Sequence, residues 1–199
     1  MIRIAVFVSG GGTNLQALID AEKSGLFPNG KLTLVIASNP EAYALKRAEL
    51  AGIETMVISG RDYGSREEAD EALVKACHDH AIDLVVLAGY LSILTPVFVN
   101  AYRDRIINVH PALIPSFCGK GFYGLRVHEA ALAKGVKVTG ATVHLVNEIP
   151  DGGRILLQKA VDVLPGDTPE VLQRRVMEEA EWKLLPEAVR MMCEQLEKE

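Results

Sequence analysis

The chain has 199 residues, 49% hydrophobic and 24% charged, with a net charge of −5, the balance of an ordinary globular chain without low-complexity tracts. Its pI of about 5.6 counts against a nucleic-acid surface, which needs a basic stripe, and no apolar stretch is long enough to span a membrane. Cys77, Cys118 and Cys193 are far apart with no CxxC pair, so neither a disulfide framework nor a zinc site is expected, and a reducing cytoplasm is the natural compartment.

In chain order, Ile2 to Val8 is a short apolar run, too short for a signal peptide and suited to a buried strand. Leu32 to Ala37, Thr55 to Ile58, Leu84 to Leu87 and Ile106 to Val109 are similar, Val/Ile-rich and nearly continuous in hydrophobicity. Strands buried on both faces of a parallel sheet have this pattern. Helical periodicity fills the gaps at Asn14 to Lys23, Ala42 to Leu50 and Glu67 to His80. Ser65 with Glu68 forms a capping-box pattern for the third, and Gly52 marks the end of the second. Alternation at this spacing predicts βαβ units with right-handed crossovers.

After Pro111 the pattern changes. An irregular stretch from Ile114 to Gly124 precedes a helix over about Arg126 to Lys134. Lys137 to Val146 and Ile155 to Val163 alternate like strands exposed on one face, and the loop Asn147 to Gly153 between them suits an antiparallel pair. Thr168 is a candidate N-cap for a last long helix beginning near Pro169. The prediction is an α/β chain: a Rossmann-like, mostly parallel sheet flanked by helices, with an antiparallel C-terminal strand pair and a long C-terminal helix. With no linker or repeat, residues 1–199 are expected to form one domain, its front half to about 105 on the phosphate side.

Three places could carry chemistry. Ser9-Gly-Gly-Gly-Thr-Asn14 sits between a strand and a helix, where glycines allow close backbone approach and a helix N-terminus offers N–H groups to an anion. Gly11, Gly12, Thr13 and Asn14 are the candidate phosphate ligands, the last two adding side-chain donors. The spacing is neither GxGxxG nor a Walker loop, and a tight turn without a ligand is the alternative. Asn108 and His110 lie two apart at a strand end and so point to one side, into the crevice where open α/β sheets bind ligands. Histidine can move a proton near neutral pH and an asparagine amide can donate to an oxyanion. A structural histidine is the alternative there. Asp151, in Pro150-Asp-Gly-Gly153, reads by itself as a turn former.

Other candidates read as structural. His78 and His80 share a helix at a spacing that does not chelate and are taken as surface residues. His128 and His144 suit packing or surface roles, with a ligand contact as the alternative. Glu178, Glu179 and Glu181 read as a solvated face, with Val176, Leu184 and Leu185 as the core stripe and Trp182 as packing.

These pieces occur in a familiar order. VSGGGTNLQALID, VVLAGYLSILTP, NVHPALIPSFCGKG, TGATVHLVNEIPDGG and ILLQKAV together resemble the folate-dependent formyltransferases over nearly the whole chain, and SGGGTNLQ narrows the resemblance to the phosphoribosylglycinamide formyltransferase family. The length does not suit relatives with an added C-terminal or N-terminal domain. The resemblance implies formyl transfer from 10-formyltetrahydrofolate, a co-substrate, to the amine of glycinamide ribonucleotide in purine synthesis, without a metal. It also implies small-molecule partners only, with no nucleic acid or membrane, and a monomer or homodimer. It assigns catalysis to Asn108, His110 and Asp151, the substrate phosphate to Gly11 to Asn14, and the ribose side to Glu181. The folate side falls to Tyr90, Leu91, Ser92, Ile93, Leu94, Val146 and Asn147. Two departures stand out: Lys120 to Arg126 is longer than in familiar members, and Ser92 replaces a basic residue found in some of them.

The resemblance implies direct attack by the substrate amine, since no Ser or Cys lies beside a base in a nucleophile pattern. Two rivals stay open: a ribonucleotide-phosphate sensor with no chemistry, and formyl transfer to another amine such as a nucleotide sugar.

Overall fold

A computed structural model describes residues 1–198. Its seven strands are β1 (Ile2–Val8), β2 (Gly30–Ala37), β3 (Glu54–Val57), β4 (Leu84–Leu87), β5 (Ile106–His110), β6 (Val138–Leu145) and β7 (Ile155–Asp162). They form one sheet in the order β3-β2-β1-β4-β5-β6-β7. β1 to β5 pair in parallel, whereas β6 runs antiparallel to both β5 and β7. The expected architecture is therefore present, and the antiparallel relation also includes β5.

Among the described residues the seven α-helices are α1 (Thr13–Lys23), α2 (Tyr43–Leu50), α3 (Arg66–Asp79), α4 (Pro96–Ala101), α5 (Leu125–Lys134), α6 (Pro169–Val176) and α7 (Trp182–Leu196). Two apolar clusters flank the parallel strands. Ile4, Val6 and Val8 pack with Leu15, Leu18, Val189 and Met192 from α1 and α7 on one face. Ala5, Phe7 and Leu87 pack with Leu73 and Phe98 from α3 and α4 on the other. Burial on both faces explains why β1, β2, β4 and β5 read as nearly unbroken apolar runs, whereas β3, expected to be buried in the same way, is an edge strand that is only partly covered. Among the described residues no helix is long and apolar enough to cross a membrane.

Local signals set the helix ends. Ser65 Oγ accepts the Glu68 N–H at 3.1 Å, and the Glu68 carboxylate reaches back to the Gly64 N–H at 2.9 Å, a capping box displaced by one residue. Gly52 follows α2 at φ 72°, and Thr168 Oγ1 caps α6 through the Val171 N–H at 3.3 Å.

Three features differ from expectation. α4 was not anticipated, although Thr95 as N-cap and Pro96 in the first turn are its signals. The last helix runs without a break from Pro169 to Leu196 as expected, but its hydrogen bonding widens to a π turn over Met177–Glu181 between α6 and α7, and Pro186 follows inside α7. Finally, the alternation of β6 is real but its polar side is not solvated. Thr142 is 0% and His144 2% exposed, because the segments after β5 and β6 fold over that face; Thr142 Oγ1 donates to the Ala112 carbonyl at 2.7 Å and accepts from the Ile114 N–H at 3.1 Å.

Candidate active site

Since β1, β4 and β5 are neighbouring parallel strands, the segments that follow them meet at one edge of the sheet, the edge where α/β folds bind ligands. Asn108 and His110 of β5 stand opposite His144 and Thr142 of β6. Asn108 Nδ2 donates to His144 Nε2 at 3.2 Å. That nitrogen lies 3.5 Å from Asp151 Oδ1, and Asp151 Oδ2 lies 3.7 Å from His110 Nδ1. A continuous path of contacts thus links Asn108, His144, Asp151 and His110. The sequence reading had treated His144 as a packing or surface residue. It is a member of this group, and the cross-strand position opposite Asn108 is the signal that identifies it.

The hydrogen bonds decide where protons sit. A carbonyl only accepts, so His110 carries a hydrogen on Nε2, which donates to the Phe117 carbonyl at 2.8 Å. Its Nδ1 faces the carboxylate. His144 Nδ1 donates to the Leu145 carbonyl at 2.8 Å, leaving Nε2 to accept from Asn108. Burial pulls the His110 pKa down; the Asp151 charge and the Phe117 carbonyl oppose this without cancelling it, so the free site favours neutral imidazole. For Asp151, burial pushes the pKa up, but the His144 contact, the His110 charge and the Gly119 N–H together hold it below the usual carboxylate range.

Asp151 is held by its backbone. It adopts a left-handed φ of 56°, uncommon for a side-chain-bearing residue, and its Oδ2 accepts the Gly119 N–H at 2.8 Å. Gly153 serves close approach rather than flexibility: a Cβ there would lie 1.7 Å from the Leu145 carbonyl. The loop is thereby pressed against the end of β6 and aims Asp151 inward.

Beside this group is a cavity of about 460 Å³, lined by Tyr90 to Leu94, Asn108, His110, His144 and Val146 to Asp151. Leu91 and Ile93 are 61% and 50% exposed there, apolar surface of the kind a ligand covers. Tyr90 is half-buried with its ring 5.3 Å from that of Phe7, Leu94 is buried, and Ser92 is exposed at the rim. The segment is braced from behind. Asp70 accepts the Thr95 N–H at 2.6 Å and its hydroxyl at 2.8 Å, and Ser9 Oγ accepts the Leu91 N–H at 2.9 Å. Asn147 Oδ1 accepts the Ile149 N–H at 3.0 Å, which shapes the loop.

The glycine loop leads into α1. Gly12 has φ 72°, and a Cβ there would meet Ala44 Cβ at 2.6 Å. Thr13 begins the helix and lines a neighbouring groove with Lys183. Asn14 is buried, and its amide nitrogen donates one hydrogen to Glu181 Oε2 at 2.7 Å, which ties the start of α1 to the C-terminal helical segment. Glu181 is not on a solvated face; it is 4% exposed, and burial pushes its pKa up to about 7 against the pull of Asn14. His80 is half-buried, its ring bonded to the Ala76 carbonyl at 2.7 Å and Glu54 at 3.0 Å. His128 is fully buried, which lowers its pKa to about 4.

A formyl transferase family model matches residues 2–189. The chain belongs to the formyl transferase family. Among relatives, the phosphoribosylglycinamide formyltransferase of Haemophilus influenzae is 39% identical, the match covering 98% of this chain and 88% of that protein. A chloroplastic phosphoribosylglycinamide formyltransferase of Arabidopsis thaliana is 41% identical over 97% of this chain and 66% of its own length. The chain spans only 18% of the human trifunctional purine biosynthetic protein adenosine-3, to which it is 43% identical. A crystal structure of glycinamide ribonucleotide transformylase 1 from Symbiobacterium toebii superposes with a TM-score of 0.92 at 43% identity, covering 98% of this chain and 89% of that one. The resemblance drawn from sequence motifs is therefore borne out at the level of the family.

Proposed function

We propose that this formyl transferase moves the formyl group of 10-formyltetrahydrofolate onto the amine of glycinamide ribonucleotide. The observation that carries the reading is the contact path from Asn108 through His144 and Asp151 to His110, beside an apolar cavity and on the same sheet edge as the glycine loop. A phosphate sensor has no need for such a path; proton transfer does, because it works within hydrogen-bond reach or through one water.

The pterin-bearing donor lies against Leu91 and Ile93, and the ribonucleotide places its phosphate at the N–H groups of Gly11 to Asn14 and its ribose toward Glu181. The amine nitrogen forms a bond to the formyl carbon, whose carbonyl becomes an oxyanion. Asn108 has one amide hydrogen on His144 and donates the other to this oxygen. His110 takes a proton at Nδ1, where Asp151 stabilises the imidazolium. Its Nε2 proton, released from the Phe117 carbonyl as substrate enters, passes to the leaving folate nitrogen as the carbon–nitrogen bond breaks. The Nδ1 proton comes from solvent before the attack, and the proton lost by the amine passes through water to the vacated Nε2, so His110 ends the step as the imidazolium that began it and the net transfer is one proton from amine to folate nitrogen. Burial and the Asp151 charge both raise the Cys118 thiol pKa, which counts against a thiolate nucleophile there.

The test is kinetic. Asn108→Ala and His110→Ala each lose on the order of 10² to 10³ in kcat with the circular dichroism of the parent. Near-normal turnover in folded His110→Ala protein sinks the assignment.

A further inference from the structure

The glycine loop depends on the direction of its peptides. An anion is bound by N–H groups pointing inward, and each glycine peptide could instead turn its carbonyl to the same spot, because glycine crosses between these conformations at little cost. All three carbonyls are already engaged by donors of the protein. The Gly10 carbonyl accepts the Ala44 N–H of α2 at 3.1 Å and the Gly12 carbonyl accepts the Gln16 N–H of α1 at 2.9 Å. Both donors are backbone groups of regular helices. The Gly11 carbonyl is held differently, by Nε of Arg47 at 2.8 Å, a side chain reaching over from α2.

Arg47 is itself held at three points. Besides Gly11, it donates from Nη1 to Gln16 Oε1 at 3.1 Å, and its guanidinium lies 5.1 Å from the Tyr43 ring centroid. A planar guanidinium can make these contacts together; a lysine ammonium cannot reproduce the arrangement. Charged donors also make the stronger hydrogen bonds.

We propose that Arg47 is a positioning residue for substrate binding, a latch that keeps the Gly11 carbonyl turned outward so that the following N–H groups face the substrate phosphate. The proposal rests on the phosphate-loop reading above. Losing the latch lets the Gly11–Gly12 peptide rotate and set a carbonyl oxygen against the anion. The loss falls on ribonucleotide binding and spares the chemical step, since Asn108 and His110 stand on β5.

The experiment uses the full chain. Amide signals of Gly11 and Gly12 are followed by NMR while inorganic phosphate and then ribose 5-phosphate are titrated into wild type, Arg47→Ala and Arg47→Lys. Steady-state KM and kcat are measured for both substrates, and thermal melts check folding. In wild type both glycine amides shift on titration. Arg47→Ala loses affinity about ten- to a hundredfold, the size of one charged hydrogen bond, and its ribonucleotide KM rises similarly. Its kcat and its KM for the formyl folate stay within about twofold, and Arg47→Lys recovers only part of the loss. If wild-type glycine amides do not respond to either anion, the phosphate-loop reading fails. If they respond and Arg47→Ala binds as tightly as wild type, the latch fails alone. Full recovery in Arg47→Lys also overturns it, because positive charge rather than peptide orientation would then be acting.

Discussion

Two acids in this site are displaced in opposite directions by their surroundings. Asp151 has His144, His110 and a backbone N–H around it and stays ionised; Glu181 has one amide partner and is otherwise buried, so its pKa rises to about 7. Each makes a prediction. In Asp151→Asn the charged form of His110 loses its partner and the His110 pKa falls further, so the alkaline limb of the kcat profile moves to lower pH and kcat drops by at least tenfold; a pH–rate series checks this. For Glu181 the folded pKa lies above the unfolded value of 4.5. Its contribution to stability is therefore full below about pH 4.5 and is lost as pH rises toward 7. Glu181→Gln keeps an oxygen for Asn14 and removes the titration. Its melting temperature is expected to decline less than that of the parent between pH 5 and 8, while its KM for the ribonucleotide rises. A parallel decline of both proteins with pH contradicts the burial argument.

At the scale of elements, the site is an arrangement of loops braced against rigid strands. Ser9 illustrates this: its hydroxyl accepts the Leu91 N–H and lies 2.7 Å from that of Ser38. It ties the glycine loop after β1 to the Tyr90–Leu94 segment after β4. Ser9→Ala is expected to raise KM for both substrates by a few-fold, the effect of one neutral hydrogen bond, with kcat little changed. Steady-state kinetics with each substrate varied in turn decides it. Gly153 braces the other side. Gly153→Ala puts a methyl group where the Leu145 carbonyl already lies, so the loop must move and Asp151 with it. The expected result is a fall in kcat approaching that of Asp151→Asn; unchanged kcat in folded Gly153→Ala protein is the contrary outcome.

For the whole molecule, the continuous apolar runs from Ile2 to Val109 disclosed the parallel sheet, because strands covered on both faces have no polar side to show. Asn108 and His110 were legible for the same local reason: two residues apart on a strand share a side. What the sequence hid were long-range relations. The polar side of β6 looks solvated until the segments after β5 and β6 fold over it, so His144 became visible only in three dimensions. Glu181 sits among charged neighbours on an ordinary-looking helix, and nothing local tells that α1 covers it. Asp151 and the folate-facing residues were assigned through the family resemblance, and α4, six residues long, was too short for its periodicity to stand out.

Turnover of glycinamide ribonucleotide with 10-formyltetrahydrofolate by the purified chain, followed by folate absorbance with the product identified by mass, tests the account most directly. Stoichiometric formylation is predicted, reduced on the order of 10² to 10³ in Asn108→Ala. A folded protein that binds the ribonucleotide and forms no formylated product contradicts it and leaves the phosphate sensor as the better description.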